Sequence, residues 1–237
     1  MKVQALWRYP VKSLQGEPLR EVGVTASGLD GDRRYAIFDA ETGIGLTGRR
    51  APQLLFASAR LTSEGAAEIT LPDGSIADGD DALSTWLGRP VVVRSAADDV
   101  DRNYEDLVDF EREPSSDWKV FGGARGPFHD SDRARVSLVS AATVGAWDPR
   151  RFRPNVLLSG EGEDALVGTT VRVGDAVFDI VARIRRCVMV TRPQPGGIDR
   201  DLSVLRTIAR QRASLLAIGA LVTHPGILRV GDELYGS

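Results

Sequence analysis

The chain is built from short apolar segments, and turn residues separate each segment from the next. One segment spans residues 3–9 and stops at Pro10, and another spans residues 68–71 and closes at Pro72-Asp73-Gly74. Apolar runs of this length, bounded by proline, glycine and aspartate, are typical of β-strands. Because such segments recur through both halves of the chain, we predict a mainly β protein with a few helices (α+β).

Helical patterns are few. Residues 80–87 begin with acidic side chains and stop at Gly88, as a short helix does. Residues 140–147 begin at a serine suited to capping a helix, and residues 202–212 carry leucine, isoleucine and valine at helical spacing. We expect the last of these to be the one substantial helix.

Two changes in composition predict the domain boundaries. Residues 1–96 are expected to form a first mainly β domain, and residues 132–237 a second. Between them, residues 97–131 carry a run of acidic side chains followed by a glycine-rich stretch. Runs of like charge are usually solvated or mobile, which is our expectation for this connecting segment. A lid or a partner-docking loop is the functional alternative.

Composition excludes several classes of protein. The net charge of −3 argues against nucleic-acid binding, which usually shows as a basic surplus. No stretch approaches the roughly 20 apolar residues of a membrane span, so we expect no membrane association. No signal-peptide pattern is visible, and a single cysteine suits a reducing compartment, so we expect a cytoplasmic location. The two histidines, His129 and His224, lie too far apart in sequence to suggest a zinc site.

The single cysteine, Cys187, follows Arg185 and Arg186. A lone cysteine forms no internal disulfide, so it serves either packing or chemistry. Packing is the ordinary role, and the apolar run over residues 187–191 is consistent with a buried strand. Adjacent arginines, however, favour the thiolate, which is a nucleophile and a ligand for soft metals.

Three further segments carry groups suited to an anionic ligand. Lys12 and Ser13 leave a strand end fixed by Pro10, and either they reach an anion or they lie in a solvated turn. The segment Gly28-Leu29-Asp30-Gly31-Asp32-Arg33 has glycines that let a ligand approach the backbone closely. Asp30 or Asp32 would hold the Arg33 guanidinium in position for a phosphate. The alternative is a hairpin with a surface ion pair.

The third segment is Asp148-Pro149-Arg150-Arg151-Phe152-Arg153-Pro154-Asn155. Arg153 and Asn155 alternate along an extended chain, so both can face one pocket. An amide that donates and accepts suits the edge of a heterocycle. A rigid basic loop is the alternative.

Taken in order, these segments resemble MOSC domain proteins (molybdenum cofactor sulfurase C-terminal domain). The resemblance rests on Tyr9-Pro10-Val11-Lys12-Ser13, Gly28-Leu29-Asp30-Gly31-Asp32-Arg33, Arg151-Phe152-Arg153-Pro154-Asn155, Arg186-Cys187, and Pro225-Gly226 followed by Val230-Gly231-Asp232. It implies that residues 1–96 form a MOSC N-terminal β-barrel-like domain packed on a β-barrel MOSC domain at residues 132–237. The chain is similar to the two-domain branch that includes the amidoxime-reducing members, although Arg185 stands where a small or polar residue is common there.

The resemblance implies a molybdenum cofactor of the molybdopterin type, bound between the domains. Cys187 would be the catalytic residue and the metal ligand, with Arg186 favouring its thiolate. The remaining cofactor-binding residues would be cations that converge on the phosphate or the pterin carbonyls, and neutral hydrogen-bonding groups. The cations are Lys12, Arg33 and Arg153, and the neutral groups are Ser13, Ser140, Thr143 and Asn155. Pyridoxal phosphate binding is implied at the level of the family alone.

The implied activity is reduction of N-oxygenated small molecules such as hydroxylamines and amidoximes. With one cysteine the chain holds no ferredoxin-like cluster, so a separate electron-transfer protein (ferredoxin, flavodoxin or cytochrome b5-like) would supply electrons. Two alternatives to this oxidoreductase activity stay open. The chain could carry the cofactor without turnover, or it could carry sulfur as a persulfide on Cys187.

Overall fold

The computed structural model describes residues 1–236 and confirms a mainly β fold with a few helices. The strands are β1 (Val3–Arg8), β2 (Glu17–Leu19), β3 (Glu21–Thr25), β4 (Gly28–Leu29), β5 (Tyr35–Asp39), β6 (Ser58–Leu61), β7 (Ala67–Thr70), β8 (Val91–Ser95), β9 (Asn103–Leu107), β10 (Trp118–Gly122), β11 (Val136–Ser140), β12 (Val156–Leu158), β13 (Thr170–Val173), β14 (Ala176–Arg185), β15 (Leu215–His224), β16 (Gly226–Arg229) and β17 (Leu234–Gly236). The α-helices are α1 (Gly79–Leu87), α2 (Ala141–Val144) and α3 (Leu202–Arg212). Short 3-10 helices span Pro52–Phe56, Glu113–Ser115, Pro149–Phe152, Glu163–Leu166 and Val188–Thr191.

Eight strands form the largest sheet, in the order β17-β13-β14-β15-β11-β12-β1-β2. Neighbours pair antiparallel except β11 and β12, which run parallel. Apolar side chains such as Val3, Leu138, Phe178 and Ile218 are buried together in one core on this sheet. Since β1 pairs with β12, the start of the chain completes a sheet built mostly from its second half. The boundaries at residues 96 and 132 stay a prediction.

A second core lies in the first half of the chain. The β5–β8 and β6–β7 pairs and helix α1 bury Ile37, Leu54 and Leu83. Helix α1 ends at Gly88, whose φ of 68° lies in the left-handed region that favours glycine, as the sequence predicted. No helix within residues 1–236 is long and apolar enough to cross a membrane.

The strand predicted over residues 187–191 is wrong. Strand β14 ends at Arg185, and a 3-10 helix follows from Val188 to Thr191. The Thr191 hydroxyl donates to the Val188 carbonyl at 2.7 Å, and an Arg151 guanidinium N–H donates to the Val190 carbonyl at 3.3 Å. Side chains therefore satisfy carbonyls that a neighbouring strand would otherwise have to pair.

The acidic connecting segment is ordered rather than simply solvated. Strands β9 and β10 form a hairpin within it. Carboxylates that follow β9 reach arginines elsewhere in the chain: Glu111 pairs with Arg206, and Glu113 pairs with Arg192. The like charges of this run are therefore separated by cations from other elements. Sequence periodicity could not show these partners, because they lie 79 and 95 residues away.

Replacing Glu113 with glutamine should destabilise the protein by about 1–3 kcal/mol at neutral pH, because it removes the countercharge of the nearly buried Arg192. Hydrogen bonds from Arg192 hold the pKa of Glu113 below its ordinary 4.5. That stabilisation is present above the ordinary pKa and is lost as pH falls through the lower folded value. Urea unfolding at pH 7 and pH 3 measures both effects.

The matched control is Glu111→Gln, whose partner Arg206 is exposed and whose change should affect stability much less than Glu113→Gln does. Equal stabilities of Glu113→Gln and the unmodified chain at pH 7 would show that the pair does not hold the segment.

Candidate functional site

A cavity of about 830 Å³ lies beside the end of β14, facing the turns after β1 and before β12. Its volume falls in the range of about 300–1,000 Å³ usual for small-molecule and cofactor sites. Most of the site residues predicted from sequence line it, although they come from distant segments. They are Lys12, Ser13, Arg33, Arg153, Asn155, Arg186 and Cys187.

Ser140 and Thr143 do not line this cavity, and their contact with the cofactor stays a prediction. Ser140 is fully buried, and its hydroxyl accepts from the Thr143 backbone N–H at 3.1 Å as the cap of helix α2. Thr143 lines a separate cavity beside Trp147 and Gln211. The serine signal was a true helix cap, but its hydroxyl is used by the helix itself.

Two arginines stack on Tyr9. The Arg153 guanidinium lies 4.2 Å from the ring centroid, and that of Arg33 lies 5.1 Å from it. Buried Asp32 pairs with Arg33 and accepts from the Tyr9 backbone N–H at 2.8 Å. Burial raises the pKa of Tyr9 to about 12, and the two arginines oppose that rise. The ring therefore stays neutral and presents its face to both cations.

Backbone strain is concentrated around the cavity. Ser13, Arg33, Arg153 and Ser214 line it with φ values of 70°, 52°, 49° and 65°. Residues other than glycine rarely adopt this left-handed backbone conformation. Residues held there by the surrounding fold cluster at ligand-binding sites, because the strain fixes a side chain in one direction. Three of these four are residues that the sequence predicted to bind the cofactor.

Two buried guanidinium nitrogens at the cavity have neither a hydrogen-bond partner nor an ion-pair contact within residues 1–236. They are Nη1 of Arg153 and Nη2 of Arg186. The Nε and Nη1 groups of Arg186 donate to the carbonyls of Leu216, at 2.8 Å, and Phe152, at 3.2 Å. Burial lowers the pKa of each arginine to about 10. Cations buried with free donors require an anion to complete their bonding.

Cys187 is half-buried at the cavity wall, two residues after the end of β14. Burial lowers the pKa of the neighbouring Arg186. In Arg49, burial also lowers the pKa, but the charge of Asp130 and its other acidic neighbours outweighs that effect. The sulfur thus lies among cations, including one that is far away in sequence, and nearby cations favour a thiolate.

Sequence reasoning missed a cluster of polar side chains beside Lys12. The Lys12 ammonium donates to the Phe128 carbonyl at 2.9 Å and to Asp130, which also pairs with Arg49. His129 is buried at the same wall, with an Nε2 that has no partner within the described residues. Burial holds the pKa of His129 well below its ordinary value, so its ring is neutral. In the sequence, only the adjacent pair His129-Asp130 pointed to this cluster.

Asn155 lines the cavity, but its amide serves the fold. Its Oδ1 accepts from the backbone N–H and the hydroxyl of Ser137, and its Nδ2 donates to the Trp7 carbonyl at 3.3 Å. Arg151 also has a positioning role: it donates to the carbonyls of Val190 and Asp199 and so fixes the turn after Cys187. These hydrogen bonds fix the wall of the cavity.

Lys12 gives the cavity a pH-dependent affinity for anions. Burial lowers the pKa of its ammonium to about 8, against the opposing charge of Asp130. Its positive charge is therefore present below pH 8 and lost above it. We expect pyrophosphate to bind the cofactor-free protein about fivefold more weakly at pH 9 than at pH 7, equivalent to about 1 kcal/mol.

Isothermal titration calorimetry at the two pH values measures this change. Lys12→Met should bind pyrophosphate more weakly at pH 7 and lose most of the difference between the two pH values. An unchanged pH dependence in Lys12→Met would show that another group is responsible.

Comparisons with known proteins show the family of the chain. The model of the MOSC N-terminal beta barrel domain matches residues 1–103, and that of the MOSC domain matches residues 117–235. The human protein named mitochondrial amidoxime-reducing component 1 is 25% identical, over 98% of this chain and 82% of its own length.

Two solved structures show weaker likeness. The YUAD protein from Bacillus subtilis has a TM-score of 0.45 and 13% identity, covering 98% of this chain and 93% of its own. YiiM from Geobacillus stearothermophilus has a TM-score of 0.37 and 14% identity, covering 57% of this chain and 72% of its own. At these TM-scores neither likeness bears on the site. The two domain models together span nearly the whole described chain, which therefore belongs to the MOSC family.

Proposed function

We propose that the chain binds a molybdenum cofactor of the molybdopterin type in the cavity beside Cys187 and reduces N-oxygenated small molecules. The observation that carries this proposal is the meeting, in a single cavity, of one half-buried thiol with two arginines that each hold a buried guanidinium nitrogen without a partner. A thiolate suits a soft metal, and free guanidinium donors suit a phosphate. Both groups belong to the cofactor that the family resemblance implies.

The donor set fits a metal that arrives with its own ligands. Within residues 1–236, no group of three or more histidine, cysteine, aspartate or glutamate side chains could hold a metal ion by itself. The protein therefore offers Cys187 as a single ligand, and the cofactor has to supply the others. When bound, the cofactor supplies the two-electron redox chemistry of molybdenum.

The surrounding residues have separate roles in binding. Arg153 and Arg186 would direct their free Nη1 and Nη2 donors at the phosphate. Arg33, fixed by Asp32, would complete the charge on the same wall. Lys12 uses two of its three N–H groups on Phe128 and Asp130, which leaves one for the ligand. Each donor is held in place before the ligand arrives, so little order has to be gained on binding.

The substrate class rests on family likeness. Reduction of an N-hydroxyl group to an amine consumes two electrons and two protons and releases water. The name of the human relative supports an amidoxime as the test substrate. Because the chain has one cysteine, it cannot hold an iron–sulfur cluster, and we propose that a separate protein (ferredoxin, flavodoxin or cytochrome b5-like) delivers the electrons.

The test is reduction of benzamidoxime to benzamidine by the cofactor-loaded protein, with chemically reduced methyl viologen as electron donor. Product formation supports the proposal. Bound cofactor with no product would instead favour a carrier. A persulfide on Cys187 after incubation with a cysteine desulfurase, detected by intact-protein mass spectrometry and without amidoxime reduction, would favour a sulfur carrier.

A further inference from the structure

The cavity contains more positive charge than one cofactor phosphate requires. Besides the cations already described, Arg133, Arg135, Arg183 and Arg185 line it. Within residues 1–236, the carboxylates among its lining residues are Asp106 and Asp130. Asp130 already pairs with Lys12 and Arg49, and Asp106 with Arg49. The extra arginines therefore have no countercharge within the cavity wall.

Two of these four arginines have partners nearby. Arg135 pairs with Asp132 at 2.6 Å, and Arg183 lies 3.5 Å from Asp164. The side chains of Arg133 and Arg185 make no hydrogen bond, ion pair or ring contact within the described residues. Both are exposed, unlike the buried Arg153. They thus lie at the mouth of the cavity, with guanidinium groups free to bind.

The fold brings these two residues to the same side of the cavity. A Cβ built on Gly219 of β15 would lie 2.5 Å from the Ala134 Cβ and 3.4 Å from the Ile184 Cγ1. The residue after Arg133 and the residue before Arg185 therefore meet over this glycine. Since only glycine leaves room for that approach, the two arginines are held on neighbouring segments at one edge of the cavity.

We propose that Arg133 and Arg185 form an anion subsite that binds a carboxylate or phosphate group on the substrate. This inference rests on the proposed function, in which the substrate reacts at the cofactor beside Cys187. Arg153 and Arg186 hold free donors in the wall and would bind the cofactor, whereas Arg133 and Arg185 lie where a substrate enters. Planar guanidinium groups bind carboxylate and phosphate by paired hydrogen bonds. The second phosphate of a nucleotide-bearing cofactor has the same chemistry, so the test separates the two sources.

The experiment compares benzamidoxime with 4-carboxybenzamidoxime, which differ in one anionic group. Both are titrated calorimetrically into cofactor-loaded protein without an electron donor, so that binding is measured apart from turnover. We expect the carboxylate compound to bind about five- to tenfold more tightly at low salt. The preference should shrink as salt rises, because exposed charges are screened.

The variant Arg133→Gln/Arg185→Gln should lose this preference and keep its affinity for benzamidoxime. The control Arg229→Gln, an exposed arginine paired with Glu21 and Asp175 outside the cavity lining, should keep the preference. Equal binding of the two compounds to the unmodified protein would overturn the proposal.

Mass spectrometry of the released cofactor distinguishes the source of the anion. A released cofactor without a nucleotide supports a substrate subsite. If the cofactor is a dinucleotide form and the double variant retains less of it, these arginines bind the cofactor, and the proposal is overturned. Reduction of benzamidoxime is measured separately. If the protein does not reduce benzamidoxime but still prefers the carboxylate compound, the proposed function is contradicted and the subsite proposal is retained.

Discussion

The substitution Cys187→Ala should reduce amidoxime-reducing activity by more than about 100-fold. Even substitutions of residues that only support a metal's direct ligands reduce affinity or activity by about 10- to 100-fold. The thiol is half-buried and makes no disulfide, so its removal should leave the fold unchanged. Steady-state reduction of benzamidoxime measures the activity, and circular dichroism with thermal unfolding measures the fold.

The matched variant is Cys187→Ser, which keeps the size of the side chain but replaces a soft ligand with a hard one. It should be as inactive as the alanine variant. Full activity in either variant, at equal cofactor content, would show that the thiolate does not bind the metal. Loss of activity together with loss of fold would instead assign Cys187 a packing role.

Arg153→Met should stabilise the cofactor-free protein and abolish cofactor retention. The guanidinium is buried with an unpaired Nη1, and burial lowers its pKa to about 10, so the folded protein is destabilised by its charge. Loss of the stacking on Tyr9, worth about 0.5–2 kcal/mol, offsets part of the gain. We expect a net gain near 1 kcal/mol, or roughly 2–4 °C in Tm.

The contrasting variant is Arg151→Met. Arg151 is equally buried, but its donors already bind backbone carbonyls, so its loss should lower Tm by leaving those carbonyls unpaired. A fall in Tm for Arg153→Met in the cofactor-free protein would contradict the assignment of Arg153 as a cation waiting for an anion.

Local patterns predicted the elements of this fold well. Helix α3 has the predicted bounds, because leucine, isoleucine and valine at helical spacing are a local signal. The serine cap of α2 was also correct. The Ser140 hydroxyl accepts a hydrogen bond from its own helix, and its role toward a ligand stays a prediction. The strand predicted over residues 187–191 is wrong because two of its carbonyls accept from the side chains of Thr191 and of the distant Arg151.

The convergence of the site was predictable from sequence only through likeness to a family. No local rule brings Lys12, Arg33, Arg153 and Cys187 to one cavity, because β1 enters a sheet of strands from the far half of the chain. Asp130 was not singled out, and His129 was weighed only as a zinc ligand, because residues 97–131 were expected to be solvated. The cations that pair with Asp130, Lys12 and Arg49, lie far away in sequence.

The central claim is that this cavity holds a molybdenum cofactor ligated by Cys187. The most direct measurement is the molybdenum content of the purified chain, by inductively coupled plasma mass spectrometry, from a host that loads a second molybdenum enzyme in the same culture. We predict a stoichiometric amount in the unmodified protein and a marked loss in Cys187→Ala. Absence of molybdenum from the unmodified protein, while the second enzyme is loaded, would contradict the claim.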